Sequence, residues 1–75
     1  MSDRNKLVAC VGLVTGIMEN TKSYPRIPAQ SAIIATDYIS DYERLRPLVE
    51  EDFSEGTLKG YDVEIEEAKR YFGAH

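Results

Sequence analysis

An all-α fold, a small bundle of three to four helices, is what this sequence predicts, and three observations carry the prediction. Apolar residues recur at helical spacings of three and four through most of the chain. Turn formers gather between those runs, at Asn20 to Ile27 and again around Gly56 and Gly60. The run Leu7 to Met18, apolar everywhere except at Gly12, Thr15 and Gly16, offers a centre for the rest to cover.

Seventy-five residues make one domain, 1–75. A chain of this size buries only about 60% of its unfolded surface. Ordering costs on the order of 1.5 kcal/mol per residue and burial returns roughly 25 cal/mol per Å², so short chains often add a disulfide, a metal or a second subunit. Cys10 is the only cysteine and His75 the only histidine, which excludes an intrachain disulfide and a zinc site of several Cys or His ligands. Completion by self-association is the supplement left. A single cysteine without a secretory signal fits a reducing cytoplasm. Set between Ala9 and Val11, Cys10 reads as a small buried hydrophobe, because a reactive thiolate needs an electropositive and partly exposed setting. Leu7 to Met18 is too short for a membrane span, which takes about 20 apolar residues.

The first helix is expected over 4–19, capped by Ser2 or Asp3, whose side-chain oxygens can accept from an unpaired backbone N–H. Leu7, Val11, Val14 and Met18 follow one face, and Cys10, Leu13 and Ile17 widen it until the helix is apolar nearly all round and expected to be buried on most sides. Gly12 and Gly16, four apart, would let another backbone approach closely. The Val, Thr and Gly content leaves a buried strand over 7–14 as the competing assignment, with length favouring helix.

Asn20 to Ile27 reads as a rigid connector. Pro25 and Pro28 bias Tyr24 and Ile27 away from the helical region, and their PxxP spacing is only a minimal match to a polyproline ligand. Pro28 starts the second helix, expected over 28–46. Its stripe is Ile34, Tyr38, Tyr42, Leu45 and Val49, broadened by Ala35, Ile39 and Leu48. The periodicity runs through Pro47, which removes the bond to the Glu43 carbonyl, so either a kink or a break with a short helix over 47–54 is expected. Ser40 with Glu43 matches a capping box and offers one more start. Gly56 and Gly60 are expected to bracket a turn, and Asp62 to cap a last helix over 62–72 that Gly73 stops. Ile65, Ala68 and Phe72 mark its buried side, with Tyr61 just before them. The first helix is then held between the second and the last.

Little catalytic chemistry can be assembled from these residues. A nucleophile needs a base within hydrogen-bond reach, and the one histidine is at the frayed end of the chain. The acidic cluster Glu50, Glu51, Asp52 and Glu55 lacks the alternating ligands of a calcium loop and reads as a solvated face. No phosphate loop is present, and a chain this small has little room for a pocket of about 300 Å³. The sequence therefore predicts a protein that is not an enzyme and holds no cofactor or metal.

Charge narrows the partners. The net charge is −4. Residues 1–30 hold Arg4, Lys6, Lys22 and Arg26 against Asp3 and Glu19, a balance of +2, while the remainder carries −6. The acidic half repels polyanions, which disfavours nucleic acid for a single chain. The residue types enriched at binding hot spots, tyrosine and arginine, occur at Tyr24, Arg26, Tyr38, Tyr42 and Arg46, the candidate protein-binding residues; Tyr38 and Tyr42 also fit the core stripe. The expected role is a non-catalytic interaction or regulatory module, a small inhibitor or adaptor of a larger protein machine. It is expected to act in the cytoplasm as a homodimer joined through Gly12 and Gly16. The alternatives are a dimeric nucleic-acid regulator using Arg4, Lys6, Lys22 and Arg26, and an oligomer that sequesters a small anionic ligand.

Overall fold

A computed structural model of the chain describes residues 2–73, and among them every regular element is helical. Three helices run α1 Asp3–Thr21, α2 Ala29–Val49 and α3 Glu55–Gly73, with a 3-10 turn at Glu50–Asp52. The architecture is a small all-α bundle. His75, expected to be frayed, lies outside the described residues.

Ser2 caps α1, its Oγ accepting from the Asn5 N–H at 3.2 Å. The segment 7–14 is helix, not strand. Leu7, Val11, Val14, Met18 and Thr21 are buried at spacings of four and three, with Cys10 beside them. Burial on most sides does not follow, however: one stripe is covered, and Leu13 keeps 45% of its surface. Only two helices are available as neighbours, and α1 packs most extensively against α2 and less against α3. α2 and α3 also meet each other directly, so α1 is one member of a three-helix bundle and is not held between the other two as expected.

The connector turns at Thr21, whose carbonyl accepts from the Tyr24 N–H at 3.1 Å. Ile27 packs against the core, which removes the PxxP stretch from consideration as a free ligand. Pro28, at φ −58° and ψ 136°, stands immediately before α2.

Through Pro47 the helix continues to Val49, so the separate helix over 47–54 is replaced by the end of α2 and a 3-10 turn. Pro47 is exposed and sits in the last turn, where one lost hydrogen bond is cheapest, and Leu45 and Val49 are buried on the opposite side. Ser40 with Glu43 lies inside the helix and starts nothing. The buried stripe is Ala35, Ile39, Tyr42, Leu45 and Val49; Ile34 and Leu48, assigned inward by the sequence, are exposed.

The largest correction concerns α3, which begins at Glu55 instead of 62. Ser54 is its cap: Oγ accepts from the Thr57 N–H at 3.2 Å and donates to the Thr57 hydroxyl at 2.8 Å. Gly56 and Gly60 do not bracket a turn. They lie within α3, and no glycine among the described residues has a positive φ. Burial of Leu58 and an edge-to-face contact of Tyr61 on Phe53, centroids 5.7 Å apart, anchor the turns that the glycines weaken. Asp62 is thus mid-helix, not a cap, and Gly73 is the last described residue of α3.

Candidate interaction surface

Two regions hold the polar and apolar groups that sequence reasoning singled out, and they lie on different sides of the α1–α2 hairpin. On one side α3 closes against it. Asp62 of α3 accepts from the Tyr42 hydroxyl at 2.6 Å and, with both carboxylate oxygens, from Arg46 at 2.8 Å each. Glu50 adds a looser contact to Arg46 at 3.8 Å. The Arg46 hydrogen bonds hold the Asp62 carboxyl below the usual carboxylate range, with Tyr42 acting in the same direction against partial burial. Burial pushes the Tyr42 hydroxyl up, and its bond to Asp62 adds to that. Both Asp62 oxygens and the Tyr42 hydroxyl are engaged across the two helices, so the clasp acts as a fastener. Further along, Lys69 reaches Glu43 at 2.9 Å, and the Thr21 and Tyr71 hydroxyls meet at 2.9 Å.

The other side is open. A surface cleft of about 400 Å³ runs between α1 and α2, lined by Ala9, Cys10, Leu13, Tyr38 and Leu45, with Lys6, Asp41 and Arg44 at its edge. Arg44 pairs with Asp41 at 3.1 Å, both well exposed. The Cys10 thiol at its floor is buried, which raises its pKa, and nearby Asp41 raises it further. Such a thiol is a poor nucleophile. Next to the cleft, a Cβ built on Gly12 or Gly16 meets nothing within 4 Å, so the close approach expected there is not made inside one chain.

The proposed protein-binding residues therefore do not form one patch. Tyr24 and Arg26 are exposed in the connector, Tyr38 lines the open cleft, and Tyr42 and Arg46 are spent on Asp62. The basic residues are likewise divided. Arg4 lies 4.9 Å over the Phe53 ring and Lys22 pairs with Glu19 at 3.0 Å. At a helical rise of ~1.5 Å per residue, Lys6 and Lys22 stand about 24 Å apart along α1. A polar cleft of about 530 Å³ lies where α2 meets α3, lined by residues that include Arg46, Glu50, Lys59 and Asp62. Both clefts exceed the volume expected for so short a chain. Among the described residues no three His, Cys, Asp or Glu side chains converge as metal ligands, and no helix is long and apolar enough to cross a membrane.

Sequence reasoning missed the outward residues Leu13, Ile34 and Leu48, all exposed. A signal for them was present. Lys6, Ala9, Leu13, Gly16 and Asn20 follow a second 3-4 spacing on α1, and Ile34, Tyr38, Asp41, Leu45 and Leu48 follow one on α2. Comparison with protein-family models, with curated proteins and with solved structures finds no match to this chain.

Proposed function

We propose that this protein is a non-catalytic regulatory module of the cytoplasm, a small inhibitor or adaptor that works by contact with itself and with another protein. The observation that supports it best is the open cleft between α1 and α2, lined by Ala9, Cys10, Leu13, Tyr38 and Leu45, with Leu13 keeping 45% of its surface exposed. Apolar surface left open beside polar rim residues supports an interaction site. The opposite side fits the same reading, because its tyrosine, arginine and carboxylate satisfy one another and leave no reactive group poised for a substrate.

The test is capture of bound proteins by the intact chain, by Leu13→Glu and by Val63→Glu, the last altering an equally exposed apolar position on α3. A partner retained by the intact chain and by Val63→Glu, and lost by Leu13→Glu, is the expected result. Equal retention by all three would remove the open side from the function.

A further inference from the structure

We propose that the cleft between α1 and α2 is a binding site for a small aliphatic carboxylate, a free acid whose apolar body lies along the floor and whose carboxylate meets the cations at the rim. At about 400 Å³ the cleft falls within the range of small-molecule sites. Its lining is mostly apolar. Ala9 and Cys10 are small and leave a hollow, which Leu13, Tyr38 and Leu45 border. Lys6 and Leu13, both lining residues, stand about 10 Å apart along α1 at a rise of ~1.5 Å per residue, enough for a short extended hydrocarbon chain. The proposal goes beyond the protein contact assigned to this cleft and does not depend on it; because both use Leu13, a bound acid and a bound protein exclude each other there.

Charge and hydrogen bonding at the rim select an anion. Lys6 and Arg44 stand against Asp41, a balance of +1 in a chain whose net charge is −4. The polar cleft between α2 and α3 has the opposite balance, Arg46 and Lys59 against Glu50, Glu55 and Asp62, or −1. Lys6 carries donors and no acceptor, and it has no ion-pair partner among the described residues. Arg44 gives one hydrogen bond, to Asp41 at 3.1 Å, which leaves most of its N–H groups facing water. That pair is exposed on both sides and holds Arg44 weakly. The one carboxylate at the rim is therefore engaged while donors stand in excess, and a carboxylate, which only accepts, complements them. An amine would meet Lys6 and Arg44 as like charges. Burial, and Asp41 after it, raises the Cys10 thiol above its ordinary pKa, so the floor stays uncharged and does not repel the acid.

Titration of the isotope-labelled chain with octanoate at neutral pH, followed by its amide chemical shifts, tests this. Saturable shifts confined to the cleft, at Ala9, Cys10, Leu13, Tyr38 and Leu45, are expected. Octanol should reach the same residues more weakly, and octylamine should leave them unmoved. Lys6→Gln and Arg44→Gln should each weaken octanoate by about two- to fivefold and leave octanol unchanged, since each removes one exposed charge contact. Leu13→Glu sets a carboxylate on the wall and should abolish octanoate binding, whereas Val63→Glu on α3 should retain it. Octanoate without saturable shifts in the cleft, octylamine binding there as tightly as octanoate, or affinities indifferent to Lys6→Gln and Arg44→Gln would each overturn the site. A protein captured through Leu13 by a chain that ignores octanoate would leave the proposed function standing and remove this ligand alone.

Discussion

The two sides of the α1–α2 hairpin are built from the same helices and differ in what has been done with their polar groups. Where α3 closes, Asp62 takes up Tyr42 and Arg46, and Thr21 meets Tyr71. On the opposite side Lys6 has no ion-pair partner among the described residues, and Asp41 holds only the exposed Arg44. On the α3 side the polar groups meet one another across helices and fix an internal contact, whereas Lys6, Asp41 and Arg44 face water at the edge of an apolar cleft.

Truncating a leucine on each side breaks that comparison most directly. Leu7 is fully buried, and Leu7→Ala should cost about 3–5 kcal/mol, a transfer loss plus a cavity. Leu48→Ala removes the same atoms from a largely exposed position and should cost no more than about 0.5 kcal/mol in the monomer. Urea denaturation at high dilution measures both. Costs of similar size would mean that the open side contributes to the fold of a single chain.

The clasp supplies the next effect. Asp62→Ala leaves Arg46 and Tyr42 without an acceptor and should destabilise by about 1–2 kcal/mol, a charge-assisted loss reduced by partial exposure. Asp41→Ala breaks a pair exposed on both sides and should change stability by less than about 0.5 kcal/mol. The clasp also predicts a pH dependence. The Asp62 carboxyl is held below its unfolded value of about 3.9, so its contribution is complete above that pH and is lost as the pH falls through the lower, folded value. The stability gap between the intact chain and Asp62→Asn should therefore narrow on acidification below about pH 4, as followed by thermal melts. A gap that held constant there would show that Asp62 titrates alike in both states.

The helical class, the start of α1 at Ser2 and the buried side of the last helix were legible because each rests on local spacing or on one capping side chain. Two features were not. The start of α3 was hidden because Gly56 and Gly60 carry a strong local turn signal, and what overrides it is tertiary: Leu58 enters the core and Tyr61 meets Phe53. Asp62 read as a cap for the same reason, since its actual partners lie 16 and 20 residues away. The orientation of α2 was ambiguous by about one position, because apolar residues at Ile34 and Ala35, and at Leu48 and Val49, satisfy two seams equally well. Packing against α1, and to a lesser extent against α3, decides which seam turns inward. Of the candidate site, residue types were legible and grouping was not, for grouping depends on which face of α2 each tyrosine occupies.

The smallest effect sharpens the comparison by using glycine on both sides. Gly56 and Gly60 on α3 and Gly12 and Gly16 on α1 are helical, and a Cβ at any of them meets nothing within 4 Å. Alanine at each should stabilise the monomer by about 0.5–1 kcal/mol, because a helical glycine loses more backbone freedom on folding. For a chain of this length, 1 kcal/mol raises the melting temperature by about 4–8 °C. Leucine separates the two helices. At Gly60 it points into solvent and should leave the sedimenting species unchanged. At Gly16 it projects from the side of α1 proposed for self-association, so the melting temperature of the dilute monomer should rise while any self-association is lost. If Gly16→Leu stabilised the monomer and left an association intact, the Gly12 and Gly16 side of α1 would have no part in it.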